Sequence, residues 1–415
     1  MSINFSNKRP IVFVANSSWY LMHYRNGLIK ECSKRNKVIT ISPIDQSTEY
    51  LSSISLHLSW RMQRKKDQDI FELFLSTLRM FFLLKAIKPK LVHSHTLKAN
   101  LVVSICCCLL GIPCMLSFSG LGKLSHGKRS YVLFFILKFI YFTGNINRIG
   151  LLSFKANLKR TKFIFQNPKD KRIFEEINKP LRNQISLIYG SGVPDKFIRL
   201  GEEIKNNNQK NKNSNIEGCI YCGRLLKSKG IEIFIKLAEL NPSRKYLVFG
   251  GIDLSASDSL TEDDIEKYSH IKNLYFKGFN QNPLVKFFKK PYILIVPSVY
   301  GEGMPRAIAE ALLLEIPVIS SIEALSEIFT NRMVKIAKKR EPNAYLNCID
   351  SIEKELRSNS NNDRKKNGKK FVLNNLTESK VIDKKLNLYK KIEKYDQEIY
   401  LNRHYYTKSK FWLSN

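Results

Sequence analysis

The sequence predicts an α/β protein of two similar domains, each a parallel sheet wrapped by helices. Three observations point there. The chain has 415 residues, too many for one ordinary core and suited to two. A strand–turn–helix–strand rhythm runs through it twice, and that rhythm builds parallel sheets whose ligands meet the carboxyl ends of the strands. Between the two series lies a polar, low-complexity tract at residues 201–217, which reads as a flexible surface segment at a domain junction.

The first series opens on an apolar strand at 11–15, a polar turn of Asn16, Ser17 and Ser18, and an amphipathic helix at 20–34. A strand at 38–42 follows. The rhythm recurs with a strand at 91–93, a helix at 100–110 and a strand at 115–118. A strand at 162–166 leads through Asn167 and Pro168 into a polar helix, and the series closes at 185–189 and the turn Gly190-Ser191-Gly192. In the second series, strands fall at 219–222, 245–249, 274–276, 292–296 and 318–321, with helices at 231–240 and 305–314. A second polar tract at 357–370 precedes a last helix at 378–394. The expected domains are 1–195 and 196–380, followed by a C-terminal helix and tail at 381–415.

Composition narrows the class. Hydrophobic residues make up 43% and charged residues 25%, the balance of a soluble globular protein. The net charge of +33 admits two kinds of partner, nucleic acid or anionic lipid and polyphosphate. No helix-turn-helix, zinc-finger or aromatic RNA-binding signature supports the first. Eight cysteines, three of them consecutive at Cys106, Cys107 and Cys108, do not form a disulfide framework at this length, so a reducing compartment is expected. Cys219 and Cys222 form a single C-x-x-C, but on a strand their odd spacing sends the thiols to opposite faces. The apolar run at 11–15 is too short for a signal-peptide core. The run at 101–118 is long enough to raise a membrane span, yet Gly111 and Pro113 divide it into a buried helix and a buried strand.

Two loops carry the chemistry. Gly223-Arg224-Leu225-Leu226-Lys227-Ser228-Lys229-Gly230 follows a strand and precedes a helix, so Arg224 and Lys229 stand where phosphates bind in such folds. Arg supplies a bidentate fork and Lys a point charge. In a chain with 69 Lys and Arg, two basic loop residues carry little weight alone. The segment from Pro297 to Glu310 says more. Pro305 suits a first helical position, so the N–H groups near Gly303 and Met304 are expected to point outward at a helix N-terminus. Gly301 and Gly303 let a ligand approach the main chain. Glu310 lies in a helix otherwise apolar up to Leu314, where a carboxylate is costly unless it meets a hydroxyl or a cation. The plain alternatives are an exposed-face glutamate for Glu310 and a favourable helix-dipole charge for Glu302. A glycosidase pair is excluded. Eight mostly helical residues span roughly 12 Å, whereas retaining hydrolases hold their carboxyl groups about 5 Å apart.

The segment PSVYGEGMPRAIAEALLLEIPVIS, with Glu302 and Glu310 in a Glu-x7-Glu spacing, closely resembles the signature of glycosyltransferase family four, retaining enzymes of the GT-B fold. GRLLKSKG is similar to the same family's G-R-L-x-x-x-K-G element. ANSSWYLMHYRNGLIKEC, LVHSHTLKAN, LSFSGLG and FIFQNPKD resemble a bacterial subgroup that builds surface polysaccharides. The resemblance runs from about residue 10 to 390 and implies two Rossmann-like domains facing across a cleft, with the C-terminal helix packing back toward the first. It implies that Arg224 and Lys229 bind the diphosphate of a nucleotide sugar, expected to be a UDP-sugar, while Glu310 holds the ribose hydroxyls. Glu302, with Gly303, Met304 and Pro305, would contact the transferred sugar, and Arg224, Lys229 and Glu302 would be the catalytic set. Asn16, Ser17, Ser119 and Gly120 become candidate acceptor or phosphate contacts. No cofactor or metal is implied, the two cations standing in for one. His93 and His95 lack further metal ligands.

The implied activity is retaining hexosyl transfer to a lipid-diphosphate-linked glycan in O-antigen or capsule biosynthesis, on the cytoplasmic face of the cell membrane and with no nucleic-acid partner. A GT-B-fold sugar-nucleotide epimerase is the alternative. Two departures stand out: Ser119 where many relatives carry His, and Glu315 where Gly is usual, followed by SSIEALSEIF in place of a Gly-rich loop. Residues 70–90 and 128–142 interleave aromatic and aliphatic runs with cations. They read either as core helices or as segments lying in the interface of an anionic membrane.

Overall fold

The computed structural model describes residues 9–62, 70–121, 130–145, 160–207, 216–254, 256–288, 290–299, 302–321, 325, 327–329, 333–358 and 361–394. In the first domain the strands are β1 (Ile11–Val14), β2 (Val38–Ser42), β3 (Leu56–Ser59), β4 (Leu91–His95), β5 (Cys114–Phe118), β6 (Thr161–Phe165) and β7 (Ile185–Leu187). Its helices are α1 (Ser18–Ser33), α2 (Thr48–Ile54), α3 (Ile70–Ile87), α4 (Leu97–Leu110), α5 (Ser130–Asn145) and α6 (Pro168–Asn178), with α7 (Asp195–Asn207) leading out of it. The second domain holds β8 (Gly218–Cys222), β9 (Lys245–Phe249), β10 (Leu274–Phe276), β11 (Tyr292–Val296), β12 (Val318–Ser320) and β13 (Lys335–Ile336). Around them lie α8 (Ile231–Leu240), α9 (Glu262–Lys267), α10 (Arg306–Leu313), α11 (Pro342–Arg357) and α12 (Asn361–Asn375). A last helix, α13, covers 378–394.

Both sheets are parallel throughout. Their orders, β3-β2-β1-β4-β5-β6-β7 and β10-β9-β8-β11-β12-β13, reverse direction at β1/β4 and at β8/β11. Such switch points open a crevice at the carboxyl ends of the strands. Burial on both faces explains the unbroken apolar runs. Along β1, Val12 and Val14 enter one core with α3, α4 and α5, while Ile11 and Phe13 enter another with α1 and α13. Along β8, Ile220 faces one core and Cys219 and Tyr221 the other, and Cys222 packs on the side opposite Cys219. The run at 101–118 is divided as its Gly and Pro imply. α4 ends at Gly111 with φ +62, and β5 begins three residues later.

The flexible segment expected at 201–217 is corrected in part, and the polar tract at 357–370 is largely helical as well. Residues 201–207 belong to α7 and 361–370 to α12; residues 208–215 and 359–360 lie outside the described set. Polar composition is overridden by packing. Phe197 of α7, Val372 of α12 and Leu376 just beyond it are buried in the core of the second domain. α10 starts at Arg306, with Pro305 in the capping position at φ −63. The chain then returns to the first domain. α13 buries Val381, Tyr389 and Ile392 against β1 and α1, and the Tyr389 hydroxyl meets His93 Nδ1 at 2.6 Å.

Candidate active site between the two domains

The site grows from the loops at the β8/β11 switch point. After β8 the chain makes one short 3-10 turn, Lys227–Lys229, and closes it at Gly230 with φ +75. A Cβ at Gly230 would come within 1.9 Å of the Pro297 carbonyl oxygen, so glycine lets this turn lie flat on the segment after β11. The Val299 N–H donates to the Ser228 carbonyl at 2.9 Å across the same contact. Lys229 and Glu302 are thereby brought together, Nζ to Oε2 at 3.1 Å. The Ser298 hydroxyl donates to the other oxygen of Glu302. Arg224 enters from the same turn, its Nη1 2.6 Å from Asp253 Oδ2.

Electrostatics separates the two glutamates. Burial alone would push the Glu302 carboxyl upward, but Lys229, Ser298 and Arg224 more than offset it and leave its pKa below the usual glutamate value. Glu302 is therefore ionised at neutral pH, an acceptor of hydrogen bonds and not an acid. Glu310 is 6% exposed, which disposes of the exposed-face alternative. Desolvation raises its pKa, and Arg306, one turn earlier with Nε 2.7 Å from Oε1, only partly opposes that. Arg306 also donates to the His23 carbonyl of α1 at 2.9 Å, tying Glu310 to the first domain.

The domains meet closely at Gly303. Its N–H points away from α10 and donates to the Ser119 carbonyl of the first domain at 3.2 Å. A Cβ there would lie 2.7 Å from both Ser119 O and Gln166 Oε1. Met304 is buried beside Gly190, while Gly301 lies outside the described residues. Asn167 Nδ2 reaches the Glu302 carbonyl at 3.0 Å and also donates to Asp170 Oδ2 at 2.9 Å.

Asp170 is buried, and desolvation lifts its pKa to about 6 despite these donors and the Leu121 N–H. A folded value above the unfolded one stabilises the protonated form, so this contribution is fully present at low pH and is lost as pH rises through about 6. Asp170→Asn keeps an oxygen for both donors. It is expected to raise unfolding free energy at pH 8 by about 1–3 kcal/mol and to lose that advantage near pH 4. Denaturant titration of both proteins at the two pH values reads the difference directly; equal stability throughout would contradict it.

On the first domain, Ser17 caps α1, its Oγ accepting from Tyr20 N at 3.1 Å. Ser119 and Gly120, the latter at φ +122, line the seam opposite Gly303. At the β1/β4 switch point the polar groups are partly unsatisfied. Asn16 Oδ1, His95 Nε2, Thr96 Oγ1 and Asn100 Oδ1 are buried with no hydrogen-bond partner among the described residues. Arg25 Nε donates to His95 Nδ1 at 3.1 Å, and burial holds His95 well below its ordinary pKa. A neutral ring accepting at Nδ1 carries its proton on Nε2. Here that N–H meets no acceptor among the described residues. The rings of His93 and His95 lie 4.0 Å apart, and no group of three metal-ligating side chains occurs among the described residues.

Four contributors escaped sequence reasoning: Asp253, Ser298, Arg306 and Asn167. The spacing of Arg306 four residues before Glu310 was a signal for that ion pair; Ser298 meets Glu302 four residues on through a loop that has no fixed period, and Asp253 and Asn167 depend on contacts distant in sequence. Glu315, which stands where the resemblance expects glycine, adopts φ +58, the left-handed conformation that glycine takes without strain. Its side chain pairs with Lys369 at 3.2 Å.

Two doubly wound domains opposed across a cleft, with cations and carboxylates gathered at the switch point of the second, define the GT-B class. Residues 10–168 match the model described as glycosyl transferase 4-like, and residues 202–371 that described as glycosyl transferases group 1. The chain belongs to this glycosyltransferase family. It is 28% identical to an uncharacterized glycosyltransferase of Methanocaldococcus jannaschii over 60% of each chain, and so spans about three-fifths of that relative's length. It is 24% identical to the capsular polysaccharide biosynthesis glycosyltransferase CapM of Staphylococcus aureus, over 81% of this chain and 87% of that one. Among solved structures, Anabaena Alr3699/HepE in complex with UDP superposes with a TM-score of 0.67 at 13% identity, covering 92% of this chain and 99% of that one.

Proposed function

We propose that the protein moves a hexose, with retention of configuration, from a UDP-sugar to a lipid-diphosphate-linked glycan in the assembly of a surface polysaccharide. The observation that carries this reading is the partly buried Lys229–Glu302–Ser298 cluster at the β8/β11 switch point, with Arg224 beside it. A leaving diphosphate needs cations that are already in place, and Arg224 and Lys229 supply them without a metal. Glu302, held ionised, accepts from sugar hydroxyls, and Glu310 accepts from the ribose. In a front-face reaction the departing phosphate oxygen takes the proton of the acceptor hydroxyl as the new glycosidic bond forms. The unsatisfied Asn16, His95, Thr96 and Asn100 atoms suit a hydroxyl-rich acceptor at the first switch point. The Anabaena protein was solved with UDP, and the staphylococcal relative is named for capsule synthesis; both support the reading.

Incubation with a panel of nucleotide sugars and polyprenyl-diphosphate-linked glycans, read by mass spectrometry, tests it. A product lengthened by one sugar is expected, with the donor's anomeric configuration kept in its NMR spectrum. An isomerised nucleotide sugar instead would make the protein an epimerase. Transfer is expected to survive EDTA, because cationic side chains do the work of a metal. Activity lost on chelation and restored by magnesium or manganese would overturn that point.

A further inference from the structure

Helices α3, α4 and α5 lie side by side over one face of the first sheet, and their inner sides fill its core with residues such as Met80, Leu84, Leu137 and Ile140. Their outer sides are apolar as well. On α3, Phe71, Phe74 and Phe82 recur at helical spacing and are 63, 56 and 62% exposed; on α5, Phe135 and Phe142 are 69 and 60% exposed. Leu109 of the intervening α4 is 65% exposed, so the face is continuous across three helices. A helix apolar on both sides is covered on both sides in its working state, and a patch of this extent marks an interaction site.

Charge decides what covers it. Arg79 and Lys85 lie within three or four residues of Phe82, and Lys138 sits between Phe135 and Phe142, its Nζ 5.8 Å from the Phe134 ring. Cations thus share the stripes with the aromatic rings. In a pair of copies joined through this face, Arg79, Lys85 and Lys138 would be buried against their own like charges. Anionic headgroups neutralise them instead, and rings interleaved with snorkelling cations suit the boundary between headgroup and acyl chain. The chain's net charge of +33 favours the same partner. No helix among the described residues is long and apolar enough to cross a membrane, so contact through this face is peripheral. In parallel α/β units each helix begins at the strand ends that face the ligand crevice. The stripes therefore run from the cleft edge backward, and a bilayer lying on them would bring the cleft mouth to the membrane surface.

We infer that the outer face of α3, α4 and α5 is a docking surface for an anionic phospholipid bilayer. It deepens the lipid-acceptor reading, but docking is tested without any acceptor. The full chain is floated with vesicles of phosphatidylcholine alone or mixed with phosphatidylglycerol, alongside Phe74→Glu/Phe135→Glu, the milder Phe74→Ser/Phe135→Ser, and Leu240→Glu on the second domain as control. Wild type and control are expected to float with the anionic vesicles, less so as salt rises. Each phenylalanine lost should lower partitioning about tenfold. UDP binding by calorimetry, unchanged in all variants, separates docking from the donor site. Wild type that binds UDP but stays in the aqueous phase at low salt would overturn docking alone; loss of UDP binding with flotation intact would overturn the transferase reading alone. Undiminished flotation of both double variants, or a wild-type dimer that they convert to monomer without any vesicle binding, would also overturn the inference.

Discussion

Glu310→Gln is expected to lower kcat/KM by about 10²–10³-fold while the protein melts close to wild type, by analogy with loss of one well-placed polar contact in a dry site. Glutamine is the informative substitution because of Arg306. Alanine at 310 would take the carboxylate partner from that partly buried guanidinium, a destabilisation that would mix unfolding with lost chemistry. Glutamine keeps the volume and one acceptor oxygen, yet removes the charge that takes two hydroxyls. Desolvation raises the Glu310 pKa, and only the ionised form accepts from both. On acidification, wild-type activity should therefore fall at a higher pH than an ordinary glutamate would dictate, and Glu310→Gln should lack that limb. A pH profile of kcat/KM for both proteins decides it; wild-type turnover in the folded glutamine variant would remove Glu310 from the site.

Arg224→Ala is expected to reduce transfer by a similar or larger factor, about 10³-fold, through lost stabilisation of the departing diphosphate. Its side chain is 40% exposed, so the loss of stability should be smaller than for a fully buried pair. Lys229→Ala should be as damaging to turnover but differ in kind. It strips Glu302 of the cation that does most to offset the burial of its carboxyl, so the Glu302 pKa rises and an acid limb appears that Arg224→Ala shows more weakly. Steady-state kinetics across pH, with thermal melts as control, distinguish the two. Turnover equal to wild type in either folded variant would sink the diphosphate assignment.

Reading the strands from sequence worked where burial was two-sided. The range 292–296 coincides with β11, buried at every position, because a strand covered on both faces runs apolar throughout. It failed at β3, whose residues Leu56–Ser59 are half-exposed at the sheet edge and leave no such run. It failed also at α7 and α12, where a few buried side chains outweigh a polar composition. Of the site, Arg224, Lys229, Glu302 and Glu310 were legible as charges beside strand ends and glycines. Their partners were not.

The sequence by itself determined the two-domain α/β class, the positions of the ligand loops and the residues that carry charge there, since each follows from local periodicity and turn chemistry. The tertiary structure alone decided how those charges are tuned. Asn167 and Glu302 meet across 135 positions of chain, Arg306 reaches His23 across 283, and His93 meets Tyr389 across 296. The directions in which the two glutamates shift depend on partners the fold brings close, Lys229 and Arg224 at Glu302 and Arg306 at Glu310, as the His95 tautomer depends on Arg25. Desolvation and pairing are properties of neighbours in space, and apart from a helical pair such as Arg306–Glu310 no spacing along the chain encodes them.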